Sequence, residues 1–286
     1  MNDLRKYLST CLLATAALVV GASPAWAQVP QLGAASFAVL SAAPGHGGAV
    51  TCTDSTITGD VGSSGLKASV VQTNCTITGA VIAPVSTSVL TDFNGAYDAL
   101  AAVSCDQVLT TLDGQRLSPG VYCIDAAATS TGSVLTLDGS STDTWIFKIG
   151  TSGTGALTGT NFSVVMADDG QVPCNNVYWW VAQAVTMTDS QFVGTILAGA
   201  AITMTGGTFV GRALAKAAVT LTGVAATGCG GTTFNPPRQR CNQGVGNGTE
   251  SCDPGNSNQG DPSRSNDELD GVPGDPGRKG SKGGNR

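Results

Sequence analysis

The sequence predicts a mainly β protein: a parallel solenoid of stacked coils, with one α-helix packed along a face and a disordered C-terminal tail. Three patterns lead to this prediction. One stretch repeats itself at a fixed step, its apolar residues alternate with threonines, and a single segment has helical periodicity instead. The composition agrees, because 12% charged residues, 5% aromatic residues and 39 glycines leave a surface that is polar without being ionic.

The repeat establishes the coil. Residues 184–200, 201–217 and 218–228 align without gaps at a step of 17 residues. That length suits one coil of three short strands and three turns, and it is too short for a pair of helices. Within each repeat, as in residues 185–188, apolar residues alternate with threonines, so the apolar side chains point into the coil and the threonines point out.

Earlier segments carry the same alternating unit. They are residues 56–59, 76–79, 136–139 and 157–160. Their spacing is irregular, so the coils need not stack in sequence order.

Stacking of the repeats would bring outward threonines into columns. Their spacing would be about 4.8 Å between coils and roughly 6.7 Å along a strand, which gives a rigid array of hydroxyl and methyl groups. We take Thr195, on a different face, as a further candidate binding residue. The six main candidates are Thr186, Thr188, Thr203, Thr205, Thr220 and Thr222. The open alternative is that threonine is simply a good strand former that stacks well on itself.

Residues 91–103 break the β pattern. Their apolar residues form one helical stripe, with Thr91 as the expected N-cap and Asp92 in the first turn. The stripe consists of Phe93, Ala96, Tyr97, Leu100 and Val103. We expect this helix to cover one face of the solenoid, since the stripe would otherwise be bare.

The first 27 residues read as a secretory signal. Arg5 and Lys6 form its basic part, and residues 12–20 form an apolar segment too short to span a bilayer. Small residues at positions 25 and 27 predict cleavage after Ala27, with a retained anchor as the alternative. No later apolar run is long enough for a membrane span, so the mature chain is expected to be secreted, either outside the cell or into a periplasm.

Nine cysteines are present, of which Cys11 belongs to the signal. Eight in an exported chain predict disulfides, although their connectivity cannot be read from the sequence. Spacing favours three pairs and leaves a fourth: Cys52–Cys75, Cys105–Cys123 and Cys241–Cys252, then Cys174–Cys229. With a single histidine and no Cys-x-x-Cys pair, we expect neither a metal site nor a cofactor.

The composition changes near residue 230. Residues 28–229 form the expected solenoid domain, whereas residues 230–286 are rich in Asn, Gly, Pro, Asp and Ser and cannot bury a core. We therefore expect a disordered tail. The formal net charge of −6 and the lack of a basic stripe argue against a nucleic-acid partner.

Acid–base chemistry has little support. Asp168 and Asp169 could act as paired carboxylates, as in solenoid enzymes that cleave polysaccharides. No basic residue or histidine lies near them in the sequence, so we interpret them as a solvated turn and expect no enzyme. Arg212 and Lys216, which have no counterpart in the first repeat, are also expected to be solvated.

A series of short motifs resembles a known family. Residues 32–40 and 56–62 resemble the opening of the ice-binding protein family with an irregular β-solenoid and one long helix. Further landmarks follow in family order at residues 96–98, 117–122, 144–147, 176–179, 194–198 and 211–215. The resemblance covers about residues 32–224. It implies a right-handed solenoid of roughly triangular section with a flat face that adsorbs to ice.

The resemblance also implies a function. It points to a secreted, non-enzymatic protein that adsorbs to an ice surface and restrains crystal growth or recrystallisation. The threonine spacings are close to oxygen repeats on ice surfaces, and mobile charged side chains, which would disturb ordered water, are almost absent. The alternative is an extracellular adhesin or matrix protein that uses the solenoid as a scaffold, with a polysaccharide or a cell surface as partner.

Overall fold

The computed structural model describes residues 36–168 and 170–229. The predicted signal, the predicted tail with its Cys241–Cys252 pair, and Asp169 lie outside the described residues. The strands, in chain order, are β1 Phe37–Ser41, β2 Val50–Thr53, β3 Thr56–Thr58, β4 Asp60–Ser63, β5 Val70–Thr73, β6 Thr76–Ile77, β7 Val81–Ile82, β8 Gln107–Val108, β9 Arg116–Leu117, β10 Gly120–Ile124, β11 Ala128–Thr131, β12 Val134–Leu137, β13 Trp145–Ile149, β14 Leu157–Thr160, β15 Ser163–Met166, β16 Val177–Val181, β17 Val185–Thr188, β18 Gln191–Ala198, β19 Ile202–Thr205, β20 Thr208–Ala215, β21 Val219–Thr222 and β22 Ala225–Thr227. One α-helix, α1 Thr87–Ala102, separates β7 from β8.

These strands form a parallel β-solenoid with three faces, as the sequence predicts. Seven strands make one sheet in the order β11-β14-β17-β19-β21-β2-β5. A second sheet of 15 strands supplies the other two faces, because the long strands β18 and β20 each run through both. Gly194 and Gly211 lie where these two strands turn. A Cβ on Gly211 would collide with the carbonyl oxygen of Gly194, so only glycine allows the coils to approach this closely.

The coils do not stack in sequence order, which confirms that expectation. The N-terminal strand β2 pairs with β21 from the C-terminal coil on one side and with β5 on the other. On the face packed by the helix, β7 is the edge strand at one end of the stack and β8 is the edge strand at the other. Helix α1 connects them and carries the chain back along the whole stack.

One corner of the solenoid is built from left-handed residues. The residue after each strand of the seven-stranded sheet has a positive φ, between 47° and 66°. Asparagine, aspartate and glycine tolerate this conformation, and each coil has one of them there. They are Gly132, Asn161, Asp189, Gly206, Gly223, Asp54 and Asn74. Because every strand of this sheet is followed by such a residue, all seven strands end at the same corner.

The interior is apolar and aromatic. Trp179 is fully buried and stacks on Phe147 at 4.2 Å between ring centroids, with Phe192 at 4.7 Å on its other side. Three disulfides are present among the described residues, and all three match the predicted pairs. They are Cys52–Cys75, Cys105–Cys123 and Cys174–Cys229.

Helix α1 packs on one solenoid face, which we call the helix-covered face. Its buried residues, Phe93, Ala96, Tyr97 and Leu100, are four of the five residues of the predicted stripe, and the fifth, Val103, is the C-cap. The predicted start was wrong, because the helix begins at Thr87, and Ser86, not Thr91, is the N-cap. Thr91 lies inside the helix, where its hydroxyl donates to the Thr87 carbonyl (3.0 Å). Asp92 is consequently outside the first turn.

A buried lysine closes the other end of the helix. The Lys148 ammonium donates to the carbonyl oxygens of Ala101 (2.8 Å) and Val103. This places a positive charge at the negative end of the helix dipole and satisfies carbonyls that the helix itself leaves unpaired. Burial lowers the pKa of Lys148.

Two predictions about basic residues need correction. Arg212 was expected to be solvated, but it is only 7% exposed and its guanidinium donates to the Thr195 hydroxyl (3.4 Å). Lys216 is half-buried against the helix, with its ammonium 3.7 Å from the ring centroid of Tyr97 and 3.8 Å from the Asp98 carboxylate. Neither burial can be read from the sequence, because the residues that cover them are distant along the chain.

Candidate functional site

The seven-stranded sheet displays two columns of outward side chains. We call this surface the threonine face, and 13 of its 14 outward positions are threonine. The first column is Thr129, Thr158, Thr186, Thr203, Thr220, Thr51 and Val71, and the second is Thr131, Thr160, Thr188, Thr205, Thr222, Thr53 and Thr73.

The six threonines that the repeat predicts lie together at the centre of this face. They occupy β17, β19 and β21, and each threonine pairs with a threonine on the neighbouring strand. The residues between them on each strand are buried, as the alternation requires. All six hydroxyls are therefore held at the surface by a core that anchors every second residue.

Seven further threonines lie on this face beyond the six predicted candidates. They are Thr51, Thr53, Thr73, Thr129, Thr131, Thr158 and Thr160. The alternation of apolar residues and threonines in residues 50–53 and 157–160 predicts that these threonines point outward. It does not predict which strands become neighbours, because that depends on the order in which the coils stack. That order depends on the return path of α1, which no local pattern specifies.

Three of the earlier units belong to another face. Thr56 and Thr58 lie on β3, Thr76 lies on β6 and Thr136 lies on β12, all in the 15-stranded sheet. Thr78 directly follows β6. These units face another direction because the chain turns at the left-handed corner. The chain turns at Asp54-Ser55 between Thr53 and Thr56, so the same sequence unit faces a different direction after the turn.

Thr195 was wrongly predicted as a binding residue. It is fully buried on the helix-covered face, and its hydroxyl accepts a hydrogen bond from Arg212. The candidate carboxylate Asp168 is exposed on a turn, where it accepts the backbone N–H of Gly170 (3.1 Å). Its sequence partner Asp169 lies outside the described residues.

The threonine face is electrically neutral. None of its 14 positions is ionisable, and its register is continuous across all seven strands. At the corner that follows its strands, the Asp54 carboxylate accepts a hydrogen bond from the Asn74 amide (3.0 Å). Such a surface offers hydroxyl and methyl groups on a regular mesh, and it has no group suited to proton transfer.

The described chain is thus a helix-flanked parallel β-solenoid that presents a neutral hydroxyl surface. A family model described as "Ice-binding-like" matches residues 42–227, well over half of the chain. The chain therefore belongs to the ice-binding-like family, which confirms the predicted resemblance. No helix among the described residues has the length and apolar character needed to cross a membrane.

Related proteins share both sequence and fold. An ice-binding protein of Nostoc sp. (strain HG1) is 37% identical over 108 residues, covering 36% of this chain and 38% of that protein. Ice-binding protein K3-B1 of Typhula ishikariensis is 33% identical over 223 residues, covering 68% of this chain and 88% of its own length. The crystal structure of an Antarctomyces psychrotrophicus ice-binding protein is similar with a TM-score of 0.58 and 31% identity, covering 69% and 97% of the two chains.

Proposed function

We propose that this chain is a secreted, non-enzymatic ice-binding protein that adsorbs to ice through the threonine face and restrains crystal growth or recrystallisation. The observation that carries the proposal is the neutral two-column array of 13 threonines on seven paired strands. Family membership supports the choice of ice, since the related proteins described above are named ice-binding proteins.

The mechanism is cooperative contact by a rigid mesh. Neighbouring threonines are spaced about 4.8 Å across strands and roughly 6.7 Å along them, close to oxygen repeats on ice surfaces. Each hydroxyl or methyl contact is weak. However, the side chains are β-branched and stand on a paired backbone, so adsorption costs little conformational entropy. Many weak contacts then add up to stable attachment.

Secretion is supported by the chemistry of the chain. Residues 1–27 have the pattern of a secretory signal. The three disulfides of the solenoid are typical of proteins that mature in an oxidising compartment.

The exit points of the chain fit adsorption and also favour a second candidate function. Strands β1 and β22, where the described solenoid begins and ends, both pair with β20. They meet at the corner between the helix-covered face and the remaining face, where Gly228 packs against Ala38. This corner does not border the threonine face, so flanking segments need not cross it. The same placement suits an adhesin or matrix scaffold that is tethered through a flanking segment.

The test replaces two central threonines by bulky residues. Thr203→Tyr with Thr205→Tyr should lower thermal hysteresis sharply and change the crystal shape that the protein produces, while leaving the unfolding temperature unchanged. Val134→Tyr, an exposed position on another face, is the matched control and should behave like wild type. Thermal hysteresis and crystal shapes equal to those of wild type in the double variant would exclude the threonine face as a site. Binding of wild type to glycans or cells with no effect on ice would favour the scaffold.

A further inference from the structure

The third face of the solenoid, which is neither the helix-covered face nor the threonine face, carries a second ordered group of threonines. We call it the second patch: eight outward positions on β20, β22, β3 and residues 76–78, where Thr78 continues the ladder directly after β6. They form two columns in continuous parallel register. The columns are Thr208, Ala225, Thr56 and Thr76, and Val210, Thr227, Thr58 and Thr78. We propose that the second patch is a second ice-binding surface, which engages a different ice plane from the one bound by the threonine face. This inference rests on the proposed function.

All six threonines of the second patch are exposed. The residues between them, including Phe209, Ala226 and Ile57, are buried in the core, so the same alternation that builds the threonine face also fixes this surface. The mesh has the same spacings as the threonine face, because both are parallel sheets with outward residues at every second position. Ala225 and Val210 add small apolar groups without interrupting the columns.

The other half of the same face is different. It carries the Arg116–Asp138 ion pair (2.9 Å) and a mixture of outward residues that includes Val134, Ser163 and Gln191. Residues 170–172 stand beside it and enclose a groove of about 320 Å³, which Thr208 and Val210 at the edge of the second patch also line. On this face, the regular columns of threonine are therefore confined to the second patch. A general preference for threonine in strands would have placed threonines across the whole face.

No position of the second patch is ionisable, and the nearest carboxylates on its margins are engaged locally. Asp54, at the corner shared with the threonine face, accepts from the Asn74 amide (3.0 Å). Asp60, just beyond the opposite corner, accepts the backbone N–H of Ala80 (2.7 Å). The patch therefore presents water with hydroxyl and methyl groups only.

The angle between the two surfaces is fixed by the shared corner. The Ser55 hydroxyl donates to the Thr53 carbonyl (2.7 Å) and accepts the Val224 N–H (3.0 Å). The Asp54 N–H donates to the Thr73 carbonyl (2.9 Å), so the corner belongs to the continuous backbone ladder. Two meshes held rigidly at an angle cannot both lie on one flat ice plane. Each would select its own plane, or both would engage where two planes meet.

The experiment is staining of a single-crystal ice hemisphere by the full chain, with a fluorescent label attached at the C-terminus. Wild type should stain two sets of planes. Thr58→Tyr with Thr227→Tyr should remove one set and keep the other, and Thr58→Lys should do the same if the tyrosines disturb folding. Val134→Tyr, outside the patch on the same face, should retain both sets.

The outcomes separate this inference from the proposed function. If both second-patch variants stain the same planes as wild type, the second patch is not an ice-binding surface. In that case, loss of staining in Thr203→Tyr with Thr205→Tyr would still support the threonine face. If only second-patch variants change the staining, the threonine face fails and the second patch stands. If wild type stains no plane, both proposals are overturned.

Discussion

The helix-covered face and the threonine face are made by the same coils, yet their outward residues have opposite character. On the helix-covered face, five successive positions of one outward column are all buried: Lys148, Trp180, Leu197, Leu214 and Leu40. On the threonine face the corresponding columns are threonine at all positions but one. The backbone pairing is parallel in both cases.

This difference shows what a solenoid face needs in order to be covered or left bare. Large apolar side chains on an outer face must be shielded from water, and α1 provides that cover with Phe93, Ala96, Tyr97 and Leu100. A bare face must favour strands, remain soluble and keep its shape. Threonine combines a stiff β-branched side chain with a hydroxyl and no charge, so it meets all three needs.

The largest expected effect is on the covered side. Phe93 is fully buried between the helix and the sheet, so Phe93→Ala should lower the free energy of unfolding by about 3–5 kcal/mol. Thr205→Ser on the bare side should change it by no more than about 0.5 kcal/mol. Denaturant unfolding of both variants measures the contrast. A cost near zero for Phe93→Ala would mean that the helix is not a required cover.

A smaller effect concerns pH. Burial, and secondarily the Asp98 carboxylate, raises the pKa of Tyr97 to about 12. Below pH 10 the phenol is neutral in both folded and unfolded chains. Between pH 10 and 12 the unfolded chain releases the proton and the folded chain retains it. The stability that this group contributes is therefore lost as the pH rises, by about 1–2 kcal/mol because water still reaches part of the phenol.

Urea unfolding at about pH 9 and about pH 11.5 measures this loss. Tyr97→Phe should show a smaller decline than wild type. Some decline should remain, because burial also raises the pKa of Tyr122 and Tyr178. Equal declines in the two proteins would contradict the assignment. The threonine face has no titratable group, so thermal hysteresis per folded molecule should not change over this range.

The smallest expected effect is at the edge of the bare side. Val71 is the position of the threonine face that lacks a hydroxyl, and it is 49% exposed on the terminal strand β5. Val71→Thr completes the array and should raise thermal hysteresis slightly, with a stability change within about 0.5 kcal/mol. The matched reverse change, Thr51→Val on the neighbouring strand, should lower it slightly. Unchanged or lower thermal hysteresis with Val71→Thr would contradict a contribution from the edge hydroxyl.

Much of this architecture could be predicted from local patterns. Residues 185–188 and their repeats fix the inward and outward sides, since alternation depends only on strand geometry. The stripe from Phe93 to Leu100 fixes the buried side of the helix in the same way. The pairings Cys52–Cys75 and Cys105–Cys123 join residues close in the chain, so spacing sufficed to predict them.

The errors about burial and strand neighbours have a common cause. Thr195 and Arg212 are buried by elements distant in sequence, and their own neighbours give no sign of this. The extent of the threonine face depends on the insertion of β2 beside β21, which is a consequence of the path of the whole chain. Local periodicity therefore predicts which way a side chain points, whereas the neighbours it acquires depend on long-range topology.

The most direct test of the central claim is a tyrosine scan along one column of the threonine face. Thermal hysteresis would be measured for Thr131→Tyr, Thr160→Tyr, Thr188→Tyr, Thr205→Tyr, Thr222→Tyr, Thr53→Tyr and Thr73→Tyr in turn. Adsorption through this face predicts the deepest loss at the central strands and the mildest at the two edges, because a central protrusion lifts the whole mesh off the ice. A flat profile equal to wild type at every position would contradict it.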